Sequence, residues 1–231
     1  MDHLGMFAKF WAPGKVKTRL AATIGEVKAA EVYRAMLDYL VDSLSTVGDQ
    51  RTIAFTPLHK LSEFSSVTAS AKEAWALIPQ SDGSLGDRMT HFFESLFSAE
   101  AEKASDLNVI LIGSDCPTIS PALLGEAFEL LRTHDVVLGP TPDGGYYLVA
   151  MAGQYRDVFS GITYSTQSVL EQTTAKMRND QIKYALLKPL EDIDEFDNLV
   201  SLHKAMLEKR QPDQADLLAI IEDALAAGQS S

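Results

Sequence analysis

The stretch Val109-Ile110-Leu111-Ile112-Gly113-Ser114-Asp115-Cys116-Pro117-Thr118 decides the fold class of this chain. Four consecutive aliphatic residues indicate an apolar strand. An acid follows the strand, at the end where ligands bind in open α/β sheets, and Gly113 allows close approach of backbone or ligand. We therefore interpret Asp115 as a ligand-facing carboxylate that could hold Mg²⁺ or Mn²⁺. A helix cap or an Asx turn is the alternative role for this residue.

Further short apolar runs alternate with stretches of helical period along the chain, which is typical of strands joined through helices. The predicted strands are Leu4–Ala8, Thr52–Phe55, Ala74–Ile78, Val109–Ile112, Val136–Leu138, Tyr146–Met151 and Lys183–Leu187. The predicted helices are Glu26–Leu44, Asp87–Ala99, Pro121–Arg132, Ser165–Arg178, Glu195–Leu207 and Pro212–Ala226. Ser120 and Gln211 each precede a proline and so place it at a first helical position. This pattern predicts an α/β layered fold.

The composition narrows the class of function. The chain has 231 residues and a formal net charge of −12, which disfavours nonspecific binding to nucleic acid or to an anionic membrane surface. Its single cysteine, Cys116, excludes an internal disulfide and fits a reducing compartment. No signal peptide is apparent, and no apolar run approaches the roughly 20 residues of a membrane span. These features predict a cytoplasmic protein that acts on small molecules.

A basic loop, Phe7–Leu20, leaves the first predicted strand through a Pro-Gly turn. Its cations are Lys9, Lys15, Lys17 and Arg19. Because no acid occurs between Asp2 and Glu26, the loop is a candidate anion site, and a solvated basic turn is the alternative. The helix predicted to follow could offer N-terminal N–H groups to a phosphate. A P-loop is excluded, because Val16 stands where Ser or Thr is required.

Other loops also border predicted strands or helices. The segment Gly139–Leu148 contributes a second acid, Asp143, although its Gly-Gly pair could simply form a hairpin turn. The segment Gln80–Met89 leads into a helix and could be a plain capped loop. Ser165 and Asp194 precede helices and would serve as N-caps. We interpret Cys116 as a packing residue and assign no histidine a ligand role.

Several motifs, taken in order, resemble one bacterial family. They are F-A-K-x-x-x-P-G-x-V-K-T-R-L, L-G-D-R-M, G-S-D-C-P-T-I, G-P-T-P-D-G-G-Y-Y-L and I-T-Y-S-T. Together they resemble a family of bacterial glycosyltransferases in the nucleotide-diphospho-sugar transferase (GT-A) superfamily, a relative of the guanylyltransferases that act on molybdopterin and phospholactate. Tyr164 stands where relatives often carry Trp, and Asp192–Asp197 differs from the family's D-V-D-T-P-E-D-L run. The second difference leaves the role of Asp194 open.

The resemblance implies a GT-A-like layered fold with a mixed, mostly parallel sheet flanked by helices. It implies a nucleotide donor whose diphosphate meets the basic loop, with Mg²⁺ or Mn²⁺ at Asp115 and with Asp143 facing the metal or the acceptor. The implied donor-binding residues are Lys9, Gly14, Lys17, Arg19, Gln80, Gly86 and Arg88. By analogy with pyrophosphorylases, Gln80 and Gly86 lie near the nucleobase.

The primary functional prediction is a metal-dependent glycosyltransferase that moves a sugar from a nucleotide-activated donor to a small acceptor. Asp115, Asp143 and Asp194 are its candidate catalytic residues, and Asp143 or Asp194 could be the base for an acceptor hydroxyl. A nucleotidyltransferase that releases pyrophosphate is the alternative, and a noncatalytic nucleotide-binding protein is the second alternative. We predict one catalytic domain over 1–231, with 1–100 mainly binding nucleotide, 101–200 serving metal and acceptor, and 201–231 forming peripheral helices. The oligomeric state stays open.

Overall fold

The computed structural model describes residues 1–69, 71, 73–99, 106–209 and 214–229. Its strands are β1 (Asp2–Lys9), β2 (Gln50–Thr56), β3 (Ala76–Pro79), β4 (Asn108–Gly113), β5 (Val136–Pro140), β6 (Tyr146–Ala152) and β7 (Tyr184–Leu186). Its α-helices are α1 (Thr18–Ile24), α2 (Glu26–Ser43), α3 (Leu61–Thr68), α4 (Leu85–Ala99), α5 (Pro121–Leu131), α6 (Val169–Asn179), α7 (Phe196–Lys209) and α8 (Ala215–Gln229). A 3₁₀ turn, Leu58–Lys60, precedes α3.

The strands form one sheet in the order β3-β2-β1-β4-β6-β5-β7. Neighbouring strands run parallel except at β6, which is antiparallel to both β4 and β5. The predicted mixed, mostly parallel sheet is confirmed, and each predicted strand has a counterpart. Because β1 pairs with both β2 and β4, the loops that leave β1 and β4 emerge side by side.

The central strand β4 is buried on both faces, which explains its unbroken aliphatic run. Ile110 and Ile112 pack into the layer that contains α2 and α5. Val109 and Leu111, on the opposite face, pack into the layer that contains α4 and α6. Alternation along the strand therefore attaches one helical layer to each face of the sheet.

The helices near the C-terminus form a further apolar layer with those near the N-terminus. Leu202 of α7 and Ile221 of α8 are buried together with Leu20 of α1 and Met36 of α2. This packing places α8 against α2, beside the helix that follows the basic loop. The division of the chain into nucleotide, acceptor and peripheral parts stays a prediction.

Some helix boundaries differ from those predicted. The short helices α1 and α3 were not predicted, and α1 separates the basic loop from the start of α2. Helix α6 begins at Val169 rather than at Ser165, because Ser165 has a left-handed backbone with φ 61° that a helix does not accommodate. The prediction of Ser165 as an N-cap was therefore wrong.

The prediction of Asp194 as an N-cap was also wrong. Helix α7 begins at Phe196, and the side-chain oxygen of Asn198 accepts hydrogen bonds from the backbone N–H groups of Asp194 and Glu195. Asp194 is thereby left free to turn its side chain elsewhere. Ser120 does cap α5, accepting from the N–H of Leu123. Gln211 and Pro212 lie outside the described residues.

Within the described ranges, no helix combines the length and apolar character needed to cross a lipid bilayer.

Candidate active site

The candidate site lies beyond the carboxyl ends of the adjacent strands β1 and β4. The ladder between these strands runs to Phe7 and Gly113, after which β1 leads into the basic loop and β4 into Asp115. The segment before α7 also borders the site, because the Ile193 N–H donates to the Asp115 carbonyl oxygen at 3.0 Å. Three distant parts of the sequence therefore meet at this edge of the sheet.

Lys17 is the centre of the site. Its backbone is left-handed, with φ 48° and ψ 45°, and it precedes the first residue of α1. Its side chain is only 3% exposed and forms ion pairs with Asp115 and, at 2.9 Å, with Asp194. An unfavourable backbone region in a non-glycine residue is typical of functional sites, where the surrounding structure maintains it. Here the ammonium group joins two carboxylates that lie far apart in sequence.

The charge of Lys17 is strongly maintained. Burial alone lowers the pKa of its ammonium group, but the charges of Asp115 and Asp194 outweigh this and hold the pKa above its ordinary value of 10.5. Lys17 is therefore a permanent cation at neutral pH. Its contribution to stability is present throughout the physiological range and is lost only when the pH rises above the folded-state pKa.

The two carboxylates fit a divalent cation. Their side chains are 47% exposed in Asp115 and 42% exposed in Asp194, and Lys17 contacts Oδ1 of each. The second oxygen of each carboxylate can therefore serve a further ligand. Among the described residues, no group of three or more His, Cys, Asp or Glu side chains could hold a metal ion. Two carboxylates completed by substrate phosphates are a common arrangement for Mg²⁺.

Asp143, expected to face the same metal as Asp115 or the acceptor, makes its hydrogen bonds within its own turn. It lies in the turn between β5 and β6, where its Oδ1 accepts hydrogen bonds from the Thr141 hydroxyl and the Gly145 N–H. Gly144 has φ 89°, and a β-carbon there would come within 1.9 Å of the Gln167 carbonyl oxygen. Glycine therefore allows this turn to touch the loop before α6. The structure brings Asp194, rather than Asp143, into ionic contact with Lys17, which also pairs with Asp115.

Two cavities meet at Asp194. The first, of about 220 Å³, is lined by Lys9, Lys15, Val16, Lys17, Tyr33, Asp115 and Asp194. The second, of about 500 Å³, is lined by Arg19, Leu85, Asp143, Gly145, Tyr146, Tyr164, Ser165, Thr166, Gln167, Val169 and Asp194. The cations of the basic loop are thus divided, because the three lysines face the first cavity and Arg19 faces the second. Arg19 is 70% exposed and lies 3.8 Å from Glu195.

The residues expected near the nucleobase, Gln80 and Gly86, are not among the described residues that line these two cavities. The Gln80 amide donates to the carbonyl oxygens of Ala8 at 3.2 Å and Ala54 at 2.8 Å, so it joins the ends of β1 and β2. Its Oε1 accepts a hydrogen bond from Arg88 at 3.4 Å. Gly86 lies against the Tyr164 ring, since a β-carbon built on Gly86 would come within 2.8 Å of the ring atom Cε2. These contacts make Gln80 and Gly86 parts of the framework, and their role at a nucleobase stays a prediction.

Gly14 and Lys9 shape the basic loop itself. Gly14 has φ 71°, and a β-carbon there would lie 2.9 Å from the Glu26 carboxylate. The left-handed backbone would strain any other residue at this position, whereas the end of the flexible Glu26 side chain could move aside. The Lys9 ammonium group donates to the Lys15 carbonyl oxygen at 2.8 Å, which closes the loop around its Pro-Gly turn.

A family profile described as "Uncharacterized protein conserved in bacteria (DUF2064)" matches residues 41–166, more than half of the chain. The chain belongs to this family. The matched region of the DUF2064 protein contains Gln80, Asp115 and Asp143, whereas Lys17 and Asp194 lie outside it.

Two similar proteins are named as transferases. One is a protein from Desulfovibrio desulfuricans G20 that is assigned as a nucleotide-diphospho-sugar transferase and has a crystal structure. It is 29% identical to this chain, with a TM-score of 0.85 over 99% of this chain and 97% of its own. A 3-phospho-D-glycerate guanylyltransferase from Phenylobacterium zucineum (strain HLK1) is 31% identical over 139 residues, 58% of this chain. The match spans only 60% of that enzyme.

A cytidylyltransferase from Leptospira borgpetersenii shares the fold at 13% identity, with a TM-score of 0.56 over 100% of this chain and 97% of its own. Together with the Desulfovibrio structure, it confirms the predicted nucleotide-diphospho-sugar transferase fold. The predicted relation to guanylyltransferases and the transferase class are confirmed by the two more similar relatives above. The similarity to the guanylyltransferase does not support sugar transfer.

Asp192 is a half-buried acid beside the candidate site that was not among the predicted site residues. Burial, and then the charges of Asp194 and Asp143, raise the pKa of Asp192 from 3.8 to about 6. Because the folded-state pKa lies above the unfolded one, ionised Asp192 destabilises the fold. This cost is absent below about pH 4, develops as the pH rises from 3.8 to about 6, and is fully present above that range.

We expect Asp192→Asn to stabilise the metal-free protein at pH 8 and to have little effect at pH 4. Two pKa units correspond to about 3 kcal/mol, which partial solvent exposure of the group reduces to about 1–2 kcal/mol. Urea unfolding in EDTA at both pH values measures the difference. An equal change in the free energy of unfolding at pH 4 and pH 8 would contradict this electrostatic explanation.

Cys116 is a packing residue by its environment. Its side chain is 2% exposed, and burial, followed by the charges of Asp192 and Asp115, raises the pKa of its thiol. A protonated, buried thiol is a poor nucleophile. We expect Cys116→Ser and Cys116→Ala each to keep turnover within about threefold of wild type, with a stability cost of about 1–3 kcal/mol for the buried hydroxyl in the serine variant. Inactivity of both folded variants in a turnover assay would show that the thiol has a chemical role.

Proposed function

We propose that this protein is a nucleotidyltransferase that moves a nucleoside monophosphate from a nucleoside triphosphate to a small acceptor with the aid of Mg²⁺ or Mn²⁺. The observation that carries the proposal is the buried Lys17, held between the partly exposed carboxylates of Asp115 and Asp194 where two cavities meet. This arrangement provides a fixed cation for phosphate and two carboxylates for a metal, side by side. Similarity to a guanylyltransferase supports nucleotidyl transfer over the glycosyl transfer expected first.

The first cavity suits the triphosphate. Lys9, Lys15 and Lys17 all line it, which makes it a local positive region in a chain of net charge −12. Lysine ammonium groups bind phosphate as compact positive charges. Asp115 and Asp194 would hold the divalent cation through the oxygens that Lys17 does not engage, and this ion would neutralise charge on the phosphate oxygens.

The second cavity suits the acceptor. It adjoins the first at Asp194, so an acceptor oxygen placed there can approach the α-phosphorus. A bond then forms between that oxygen and the α-phosphorus, the α–β phosphoanhydride bond breaks, and pyrophosphate leaves with the bonding electron pair. If the nucleophile is a hydroxyl group, Asp143 at the wall of this cavity is a candidate acceptor of its proton.

The protein contributes mainly arrangement and charge. Lys17 keeps its ammonium charge at neutral pH and holds Asp115 of the first cavity beside Asp194, which lines both cavities. Charge stabilisation of this preorganised kind is the principal source of catalysis in phosphoryl-group chemistry.

A product assay tests the proposal. Purified protein is incubated with ATP, CTP, GTP or UTP, with Mg²⁺ or Mn²⁺, and with a panel of phosphorylated hydroxy acids, and pyrophosphate release is measured. We expect at least one triphosphate to give acceptor-dependent pyrophosphate, abolished by EDTA. Release of a nucleoside diphosphate from UDP- or GDP-sugars, without pyrophosphate from any triphosphate, would overturn the proposal in favour of glycosyl transfer. Tight nucleotide binding with neither product would favour the noncatalytic alternative.

A further inference from the structure

The spacing between the two functional loops is not set by the sheet itself. The β1–β4 ladder runs to Phe7 and Gly113, and at Lys9 the register partner is Thr56 of β2. Beyond Gly113, β4 continues directly into Ser114 and Asp115. Besides the Lys17–Asp115 ion pair, another contact is therefore needed to fix the start of the basic loop relative to Asp115.

Tyr33 of α2 provides that contact. Its hydroxyl group accepts a hydrogen bond from the Lys9 N–H at 3.0 Å and lies 2.7 Å from the Ser114 hydroxyl oxygen. Tyr33 and Ser114 are each only 3% exposed, so water does not compete for these bonds. One hydroxyl group thus links Lys9, two residues beyond Phe7, to Ser114, one residue beyond Gly113. Both bonds lie past the end of the β1–β4 ladder.

The chemistry of this hydroxyl group matches a fixed bridge. Burial, and then the charge of Asp115, raise the pKa of Tyr33 to about 12, so the group keeps its proton at neutral pH. It can therefore accept from Lys9 and donate to Ser114 at the same time. The ring contributes separately, since its centroid lies 6.0 Å from the Lys17 ammonium nitrogen and it forms part of the wall of the first cavity.

We propose that Tyr33 is a positioning residue of the active site, whose hydroxyl group holds Lys9 and Ser114, and through Ser114 the neighbouring Asp115, at the spacing that the metal-bound triphosphate requires. This inference rests on the proposed nucleotidyl transfer. Tyr33 lies within a hydrophobic layer, and its burial alone would not indicate this role.

Ordinary packing is the competing explanation for a buried tyrosine. Packing predicts that loss of the hydroxyl group lowers stability and leaves the folded enzyme unchanged. Positioning predicts a change in metal affinity and in kcat, with a smaller change in KM for the triphosphate, because the groups remain present but are displaced.

The test compares Tyr33→Phe, Ser114→Ala and the double variant with wild type. Tyr147→Phe is the matched control, because Tyr147 is also buried and its hydroxyl group donates to the Lys188 carbonyl oxygen at 3.1 Å. Mn²⁺ binding is measured by electron paramagnetic resonance titration, without nucleotide and with the triphosphate that wild type uses. Thermal unfolding in EDTA reports stability, and kcat and KM are measured well below the unfolding temperature.

We expect Tyr33→Phe to weaken Mn²⁺ binding about fivefold and to lower kcat about tenfold, with KM changed less than threefold. The double variant should be no worse than Tyr33→Phe, because both substitutions break the same bridge. Tyr147→Phe should alter only the unfolding temperature. Unchanged Mn²⁺ affinity and kcat in Tyr33→Phe would overturn the inference.

The Mn²⁺ titration separates this inference from the proposed function. If wild type binds Mn²⁺ but releases no pyrophosphate, nucleotidyl transfer fails while a weaker Mn²⁺ affinity in Tyr33→Phe still supports the bridge. If wild type binds no Mn²⁺, both proposals fail.

Discussion

Asp115→Asn is expected to lower metal-dependent turnover at least about a hundredfold while the protein remains folded. Asparagine is nearly isosteric with aspartate, so packing around it should survive. A neutral amide is, however, a poorer ligand for a hard cation than a charged oxygen. A metal ion contributes several kcal/mol to stabilising charge in the transition state, and each 1.36 kcal/mol corresponds to a tenfold change in rate.

Pyrophosphate release over a range of Mn²⁺ concentrations measures this effect. Asp180→Asn is the matched control, because Asp180 is 46% exposed, close to the 47% of Asp115, and also pairs with a lysine, Lys176. We expect the control to keep full turnover. Full Mn²⁺-dependent turnover in Asp115→Asn would mean that the metal binds elsewhere, with Asp143 as the next candidate.

Lys17→Met is expected to lower turnover about a hundredfold or more and to destabilise the metal-free protein. The substitution keeps an unbranched side chain that is only slightly shorter, but it leaves Asp115 and Asp194 without the cation between them. Removing one partner of a buried ion pair costs about 3–5 kcal/mol, and because the two carboxylates are almost half exposed we expect about 1–2 kcal/mol. Mn²⁺ should stabilise this variant more than wild type, because a divalent ion can replace the missing positive charge.

Turnover and thermal unfolding, each with and without Mn²⁺, measure both effects of Lys17→Met. Lys176→Met is a close control, since Lys176 also lies between two aspartates, at 3.6 Å from Asp157 and 3.1 Å from Asp180. We expect only a small loss of stability in the control. Equal turnover losses in the two variants would indicate that a general electrostatic change, rather than the position of Lys17, accounts for the effect.

The sequence analysis predicted neither helix α1 nor a role for Tyr33, and each omission has a physical reason. Helix α1 is seven residues long and begins after Lys17, whose left-handed backbone provides no capping side chain, so no local start signal marks it. Tyr33 lies on the apolar face of α2, where a tyrosine is indistinguishable from an ordinary core residue.

The sequence by itself determined the alternation of strands and helices, the apolar strand that became β4, and the position of Asp115 beyond its carboxyl end. These features depend on residues close together in the chain, whose periodicity and polarity follow from the geometry of strands and helices. The distribution of basic residues before Glu26 likewise predicted an anion-binding loop from local charge alone.

Only the tertiary structure decided which of those residues act together. Lys17 and Asp194 are separated by 177 positions, and their contact depends on how α7 and the basic loop pack around the end of β4. The same packing directs Asp143 and Arg19 to the second cavity, although sequence order had associated Arg19 with Lys17 and Asp143 with Asp115. Side-chain pairing across such separations is set by strand order and loop direction, which local periodicity does not encode.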